Sequence, residues 1–107
     1  MAEISRPMIN DALRLLRLYL GFSQQQVASK TDLSQSMISD IEKGRKSVSM
    51  EVLDRYSSSL NVKMSDLLFF AEEIDGHPVA TRGKLIVAPR LLAILERLAP
   101  AEISDAP

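Results

Sequence analysis

Residues 23 to 44, SQQQVASKTDLSQSMISDIEKG, hold two helix starts with room for only a tight turn between them. Ser23 is followed three residues later by Gln26, a capping box in which the serine hydroxyl accepts from a backbone N–H and the glutamine side chain accepts in return. The helix this opens stops near Lys30, because Thr31-Asp32-Leu33 reads as a turn and Ser34 caps a second helix running to Lys43. Gly44 ends that second helix. In such an arrangement the first helix braces and the second protrudes. Inward positions must therefore be apolar, which Val27, Ala28, Leu33, Ile38 and Ile41 satisfy, and small Ala28 lets a helix approach closely. Gln35, Ser36, Ser39 and Asp40 fall on the outward side.

Helical spacing extends on both sides of this segment. Ile9, Leu13, Leu16 and Leu20 recur at i, i+4, i+7 and i+11, an amphipathic stripe that ends at Gly21. Arg14 and Arg17 lie off that stripe. A fourth helix is expected from about Ser49 to Leu60, with Val52, Leu53, Tyr56 and Leu60 inward and Asn61 as its left-handed stop. A fifth is expected from about Met64 to Glu72, with Leu67, Leu68 and Phe70 inward.

The pattern changes after residue 75. Gly76, His77 and Pro78 break the helix, and residues 79–87 carry Arg82-Gly83 between short apolar runs, a hairpin signal. Pro89 suits the first turn of a further helix over residues 90–98. The expected division is a helical unit over residues 1–75 and an extension over 76–107. Ile86, Val87, Leu91, Leu92, Leu95 and Leu98 are too many apolar groups for a loose tail. They either pack on the bundle or pair with another chain. The expectation here is a dimer interface, with a bundle that still folds when residues 79–107 are removed.

Composition removes several function classes. The chain has 107 residues, 46% hydrophobic and 25% charged, ordinary for a globular protein. It has no cysteine, hence no thiolate metal site or disulfide framework, and a reducing cytoplasm is the expected compartment. No apolar run approaches the roughly 18 residues of a membrane span, and the first ten residues lack a signal-peptide stretch. The one histidine, His77, lies in the Gly-Pro loop without partners, and no phosphate loop or nucleophile motif is present. No enzyme activity, cofactor or metal is expected. A net charge of −1 and a pI near 5.8 argue against a broadly basic nucleic-acid binder, though not against a local basic face.

Two short helices joined by a three-residue turn make a helix-turn-helix. With that motif in place, residues 9–70 resemble the lambda-repressor-like, or Xre-type, helix-turn-helix regulators. The resemblance rests on Arg17 four residues before Gly21, then Ser23-Gln24, Val27-Ala28, Ser34, Ile38, Ile41-Glu42, Gly44, Leu53, Leu60 and Leu67-Leu68, in register with no insertion. It implies an all-α, five-helix bundle that binds double-stranded operator DNA as a homodimer. By position it implies base contacts from Gln35, Ser36, Ser39 and Asp40, and backbone contacts from Gln24, Ser34, Lys43, Arg45 and Lys46. Arg17 and Glu42 match a frequent ion pair between the first and third helices, structural in role.

Residue chemistry agrees with these implied roles. Glutamine can bond adenine N6 and N7 together, serine is an adaptable partner, and aspartate can accept from cytosine N4. Phosphate contacts set register without carrying sequence information. Asp40 stays open between base reader and salt bridge within the protein, because a carboxylate there repels phosphates. Asp32, Val48 and Lys63 depart from the family's usual glycine, proline and capping serine. Asp66 is expected to compensate for Lys63 through the helix dipole. The expected function is a dimeric, sequence-specific transcriptional repressor. The alternative is an antitoxin-like autoregulator whose C-terminal segment binds a partner protein.

Overall fold

The computed structural model describes residues 7–74 and 89–98 of the chain. Six helices are present among them: α1 (Pro7–Leu20), α2 (Gln24–Thr31), α3 (Gln35–Glu42), α4 (Met50–Leu60), α5 (Met64–Ile74) and α6 (Pro89–Leu98). The architecture is all-α, a lambda-repressor-like bundle with one helix added. The hairpin expected over residues 79–87, and with it His77, Ile86 and Val87, lies outside the described residues.

Helix limits follow local chemistry. Ser23, Ser34 and Ser49 all have extended backbones, and their hydroxyls accept from Gln26, Met37 and Val52 N–H groups. These are the orphan donors of a first helical turn. At Ser23 the box is complete, since Gln26 Oε1 accepts from the Ser23 N–H at 2.8 Å. The first four helices each run into a left-handed residue: Gly21 (φ 82), Asp32 (φ 64), Gly44 (φ 76) and Asn61 (φ 60). After α3, the Gly44 N–H reaches Ile41 O at 3.0 Å and the Arg45 N–H reaches Asp40 O at 2.8 Å. That pair of bonds is a Schellman stop, which satisfies carbonyls the helix would otherwise leave bare.

The core forms where the helices converge. α1 packs on α5 and α3, α2 on α3 and α4, and α4 on α5. Leu13, Leu15, Leu16, Val27, Ile38, Ile41, Tyr56, Leu67 and Phe70 are fully enclosed. Removing each such side chain from water contributes about 1.5–3 kcal/mol. The α1 stripe is wider than its spacing suggests, because Ala12 and Leu15 are also buried while Leu20 is only partly covered. Val48 packs partly buried against the same core.

Two expectations are corrected. Leu68 is not an inward residue: α5 buries Leu67, Phe70, Ala71 and Ile74 and leaves Leu68 exposed beside Phe69. Spacing of i, i+3, i+4 and i+7 defines one face, and position 68 lies about 100° around the helix from position 67. The second correction concerns α6. It packs on α5, and Leu91 and Leu95 are wholly covered by the chain itself, with Ile94 beside them in the core. They have no surface to offer as a dimer seam. Leu98 is partly buried against the same core, and Leu92 alone of the described apolar set is exposed.

Candidate nucleic-acid interface

α3 is held so that Ile38 and Ile41 face the bundle and its polar residues face out. Gln35 and Ser36 are exposed, and Ser39 and Asp40 are half-buried. The cations that follow, Lys43, Arg45 and Lys46, are exposed. Ser34 is exposed too, with its hydroxyl engaged by the Met37 N–H at 3.0 Å. The structure thus brings all of the residues singled out for DNA except Gln24 onto one helix, its cap and the loop after it, and Gln24 opens the neighbouring α2.

Behind this row runs a chain of hydrogen bonds. Arg17 donates from Nε to Glu42 Oε2 at 2.6 Å and from Nη2 to Glu42 Oε1 at 2.8 Å. Its Nη1 donates to Phe22 O at 2.8 Å. Gln24 Nε2 donates to Glu42 Oε1 at 3.1 Å, and Gln24 Oε1 accepts from Gln35 Nε2 at 3.4 Å. A two-pronged guanidinium–carboxylate contact is directional as well as charged. Glu42 is therefore fixed, Gln24 is oriented by Glu42, and Gln35 rests against Gln24. The last bond is long and exposed, so it orients Gln35 without locking it away from a ligand. Tyr56 is buried near the pair, and its ionisation is pushed up by burial and by the Glu42 charge, which keeps the hydroxyl neutral.

Asp40 has an intramolecular answer. Its Oδ1 lies 4.0 Å from Arg45 Nη1, with the Arg45 side chain 67% and the Asp40 side chain 42% exposed. The Schellman stop on Gly44 turns the chain back so that Arg45 can reach it. An exposed pair at this distance contributes less than about 1 kcal/mol, so it can be exchanged for another partner.

Sequence reading missed three positioning side chains. Asn10 is buried on α1, and its Nδ2 donates to Ile41 O at 2.7 Å and to Lys46 O at 3.0 Å. It ties the end of α3 and the cationic loop to α1. The available signal was an amide adjoining the Ile9–Leu13 stripe, where an inward polar group needs partners. Arg55 and Ser59 on α4 reach the turn between α2 and α3. Nothing in their spacing points there. Among the described residues no group of His, Cys, Asp and Glu could hold a metal, and no helix is long and apolar enough to cross a membrane.

The chain is similar to known proteins. The helix-turn-helix family model matches residues 13–67. The chain is 34% identical over 67 residues to the competence pilus inhibition repressor of Acinetobacter baylyi, covering 63% of this chain and 61% of that protein. It is 36% identical over 66 residues to control protein C.BamHI of Bacillus amyloliquefaciens, covering 61% of this chain and 82% of that one. Over 73 residues it is 33% identical to the transcriptional regulator ClgR of Mycobacterium tuberculosis, covering 68% of this chain and 65% of ClgR. For the first and third of these, the match spans under two thirds of the relative's length. The crystal structure of the clp gene regulator ClgR from C. glutamicum superposes with a TM-score of 0.64 at 27% identity, covering 72% of this chain and 100% of that one.

Proposed function

The chain belongs to the helix-turn-helix family of lambda-repressor-like, Xre-type regulators, and from that premise we propose that it is a dimeric repressor reading the major groove with α3. It is a DNA-binding regulator rather than an enzyme. The observation that carries the finer reading is the line of bonds from Arg17 through Glu42 and Gln24 to Gln35. It presets an exposed glutamine at the start of α3, where a bidentate contact to adenine is available. Ser36, Ser39 and Asp40 supply the remaining base contacts. Gln24, Ser34, Lys43, Arg45 and Lys46 supply phosphate contacts that set register.

Dimerisation completes the mechanism. One module of this size makes few contacts, whereas two copies about 34 Å apart read two half-sites on one face of DNA. Leu68 and Phe69 on α5 and Leu92 on α6 are the large apolar groups left exposed on these helices, and they support self-association there. Residues 1–75 are assigned to DNA binding and residues 76–107 to an extension whose helix also completes the core.

Selection from random duplex DNA with the purified chain tests the proposal. A two-fold symmetric site with half-sites one helical turn apart is expected. Recovery of no preferred sequence would reject sequence-specific binding. A monomer that co-purifies with a second polypeptide would move the reading to the antitoxin-like alternative.

A further inference from the structure

None of the DNA contacts assigned above lies on α4, yet α4 holds the turn that presents the reading helix. The last carbonyls of α2 have no partner within that helix. Ser59 Oγ donates to Lys30 O at 2.9 Å. Arg55 Nη1 donates to Thr31 O at 3.2 Å and to Asp32 O at 3.4 Å. The same guanidinium stands 4.0 Å from Asp32 Oδ2 and 3.5 Å from Glu51 Oε2, the latter one helical turn earlier on α4. Three successive carbonyls, the last two of α2 and the first of the turn, are thus gripped by two residues one turn apart on α4. The grip falls where the backbone is under strain, since Asp32 holds a φ of 64° that a side chain resists.

We propose that Arg55 and Ser59 form a clamp that sets the pitch of α3 against α2, with Arg55 a positioning residue for sequence-specific DNA reading. The proposal rests on α3 being the reading helix. The turn is the short link between α2 and α3, so its conformation decides where Gln35 and Ser36 stand relative to Gln24. Base contacts depend on that placement to a fraction of an ångström, whereas phosphate contacts by long cationic side chains adapt. Loosening the clamp therefore costs specific binding more than non-specific binding. A glycine at position 32 removes the backbone strain and with it the need for the clamp.

The experiment uses the full chain and the tightest duplex recovered from random-DNA selection, beside a scrambled duplex. Arg55→Met is expected to weaken the selected duplex about tenfold, the equivalent of losing one charged hydrogen-bonded contact, and the scrambled duplex far less. Arg55→Lys keeps the charge without the fork and is expected to behave like Arg55→Met. Adding Asp32→Gly to Arg55→Met is expected to restore most of the lost affinity. Ser59→Ala, a milder change, is expected to give a smaller loss of the same kind should the Arg55 variants not fold. Equal weakening on both duplexes, full activity of Arg55→Lys, or no rescue by glycine would overturn the clamp. Gln35→Ala in the same assay separates the two readings. If it also spares base preference, α3 is not the reading helix; if it relaxes one base while the Arg55 and Ser59 variants do nothing, only the clamp fails.

Discussion

Arg17 and Glu42, 25 positions apart in sequence, meet through two hydrogen bonds of 2.6 and 2.8 Å, with side chains only 12% and 3% exposed. The pair joins α1 to the last turn of α3. Glu42 also accepts from Gln24, so the ion pair that braces the bundle is the anchor of the glutamines on its outer face.

Stability and DNA reading should therefore separate in a double replacement. Glu42→Leu alone strands the Arg17 guanidinium and should destabilise by about 3–5 kcal/mol. Arg17→Met with Glu42→Leu should recover most of that loss, because an apolar pair of similar volume replaces two buried charges. Operator affinity should stay reduced, since Gln24 has lost its acceptor. Urea unfolding read beside DNA binding checks this. A double variant that binds the operator at full strength would remove the anchor role.

Gln35→Ala should weaken operator binding by about 1–3 kcal/mol and relax one base position. Gln24→Ala should weaken binding across sequences, because its implied contact is to phosphate. Binding to a panel of single-base operator variants distinguishes the two. Equal loss from Gln35→Ala on operator and random DNA would count against direct readout.

Lys46→Ala should reduce affinity broadly and flatten the dependence of log affinity on log salt by about one unit. A titration across salt concentrations gives the slope directly. An unchanged slope would take Lys46 off the phosphate contacts.

Asn10→Ala removes the side-chain donor to Ile41 O, which keeps the Gly44 N–H, and to Lys46 O, with an expected cost of about 1–3 kcal/mol. Asn10→Asp should fare no better, since a carboxylate cannot donate to either carbonyl. Chemical denaturation of both variants is the check. A loss under about 0.5 kcal/mol for Asn10→Ala would show that the amide is dispensable.

Leu95→Ala should cost about 2–5 kcal/mol of folding stability, as expected for a leucine enclosed in a core. Leu92→Ala and Phe69→Ala should leave stability close to unchanged and weaken self-association. Denaturation and sedimentation, run on all three, sort core from interface. Weaker association with unaltered stability in Leu95→Ala would restore it to the seam.

The sequence by itself determined where α2, α3 and α4 begin and where α1, α3 and α4 stop. Ser23 with Gln26, Ser34, Ser49, Gly21, Gly44 and Asn61 act on backbone groups a few residues away, so their meaning travels with the local chain. It also determined that Gln35, Ser36, Lys43, Arg45 and Lys46 share one protruding segment, because a short turn and a short helix leave no other arrangement. Partners distant in sequence needed the tertiary structure. Asn10 finds Ile41 and Lys46, and Arg55 finds the turn at Asp32, only once the bundle has brought them within hydrogen-bond reach. The fate of Leu91 and Leu95 was decided the same way. Apolar spacing says that a face will be covered, but the hydrophobic effect has no direction, so the identity of the cover is settled by packing α6 on α5.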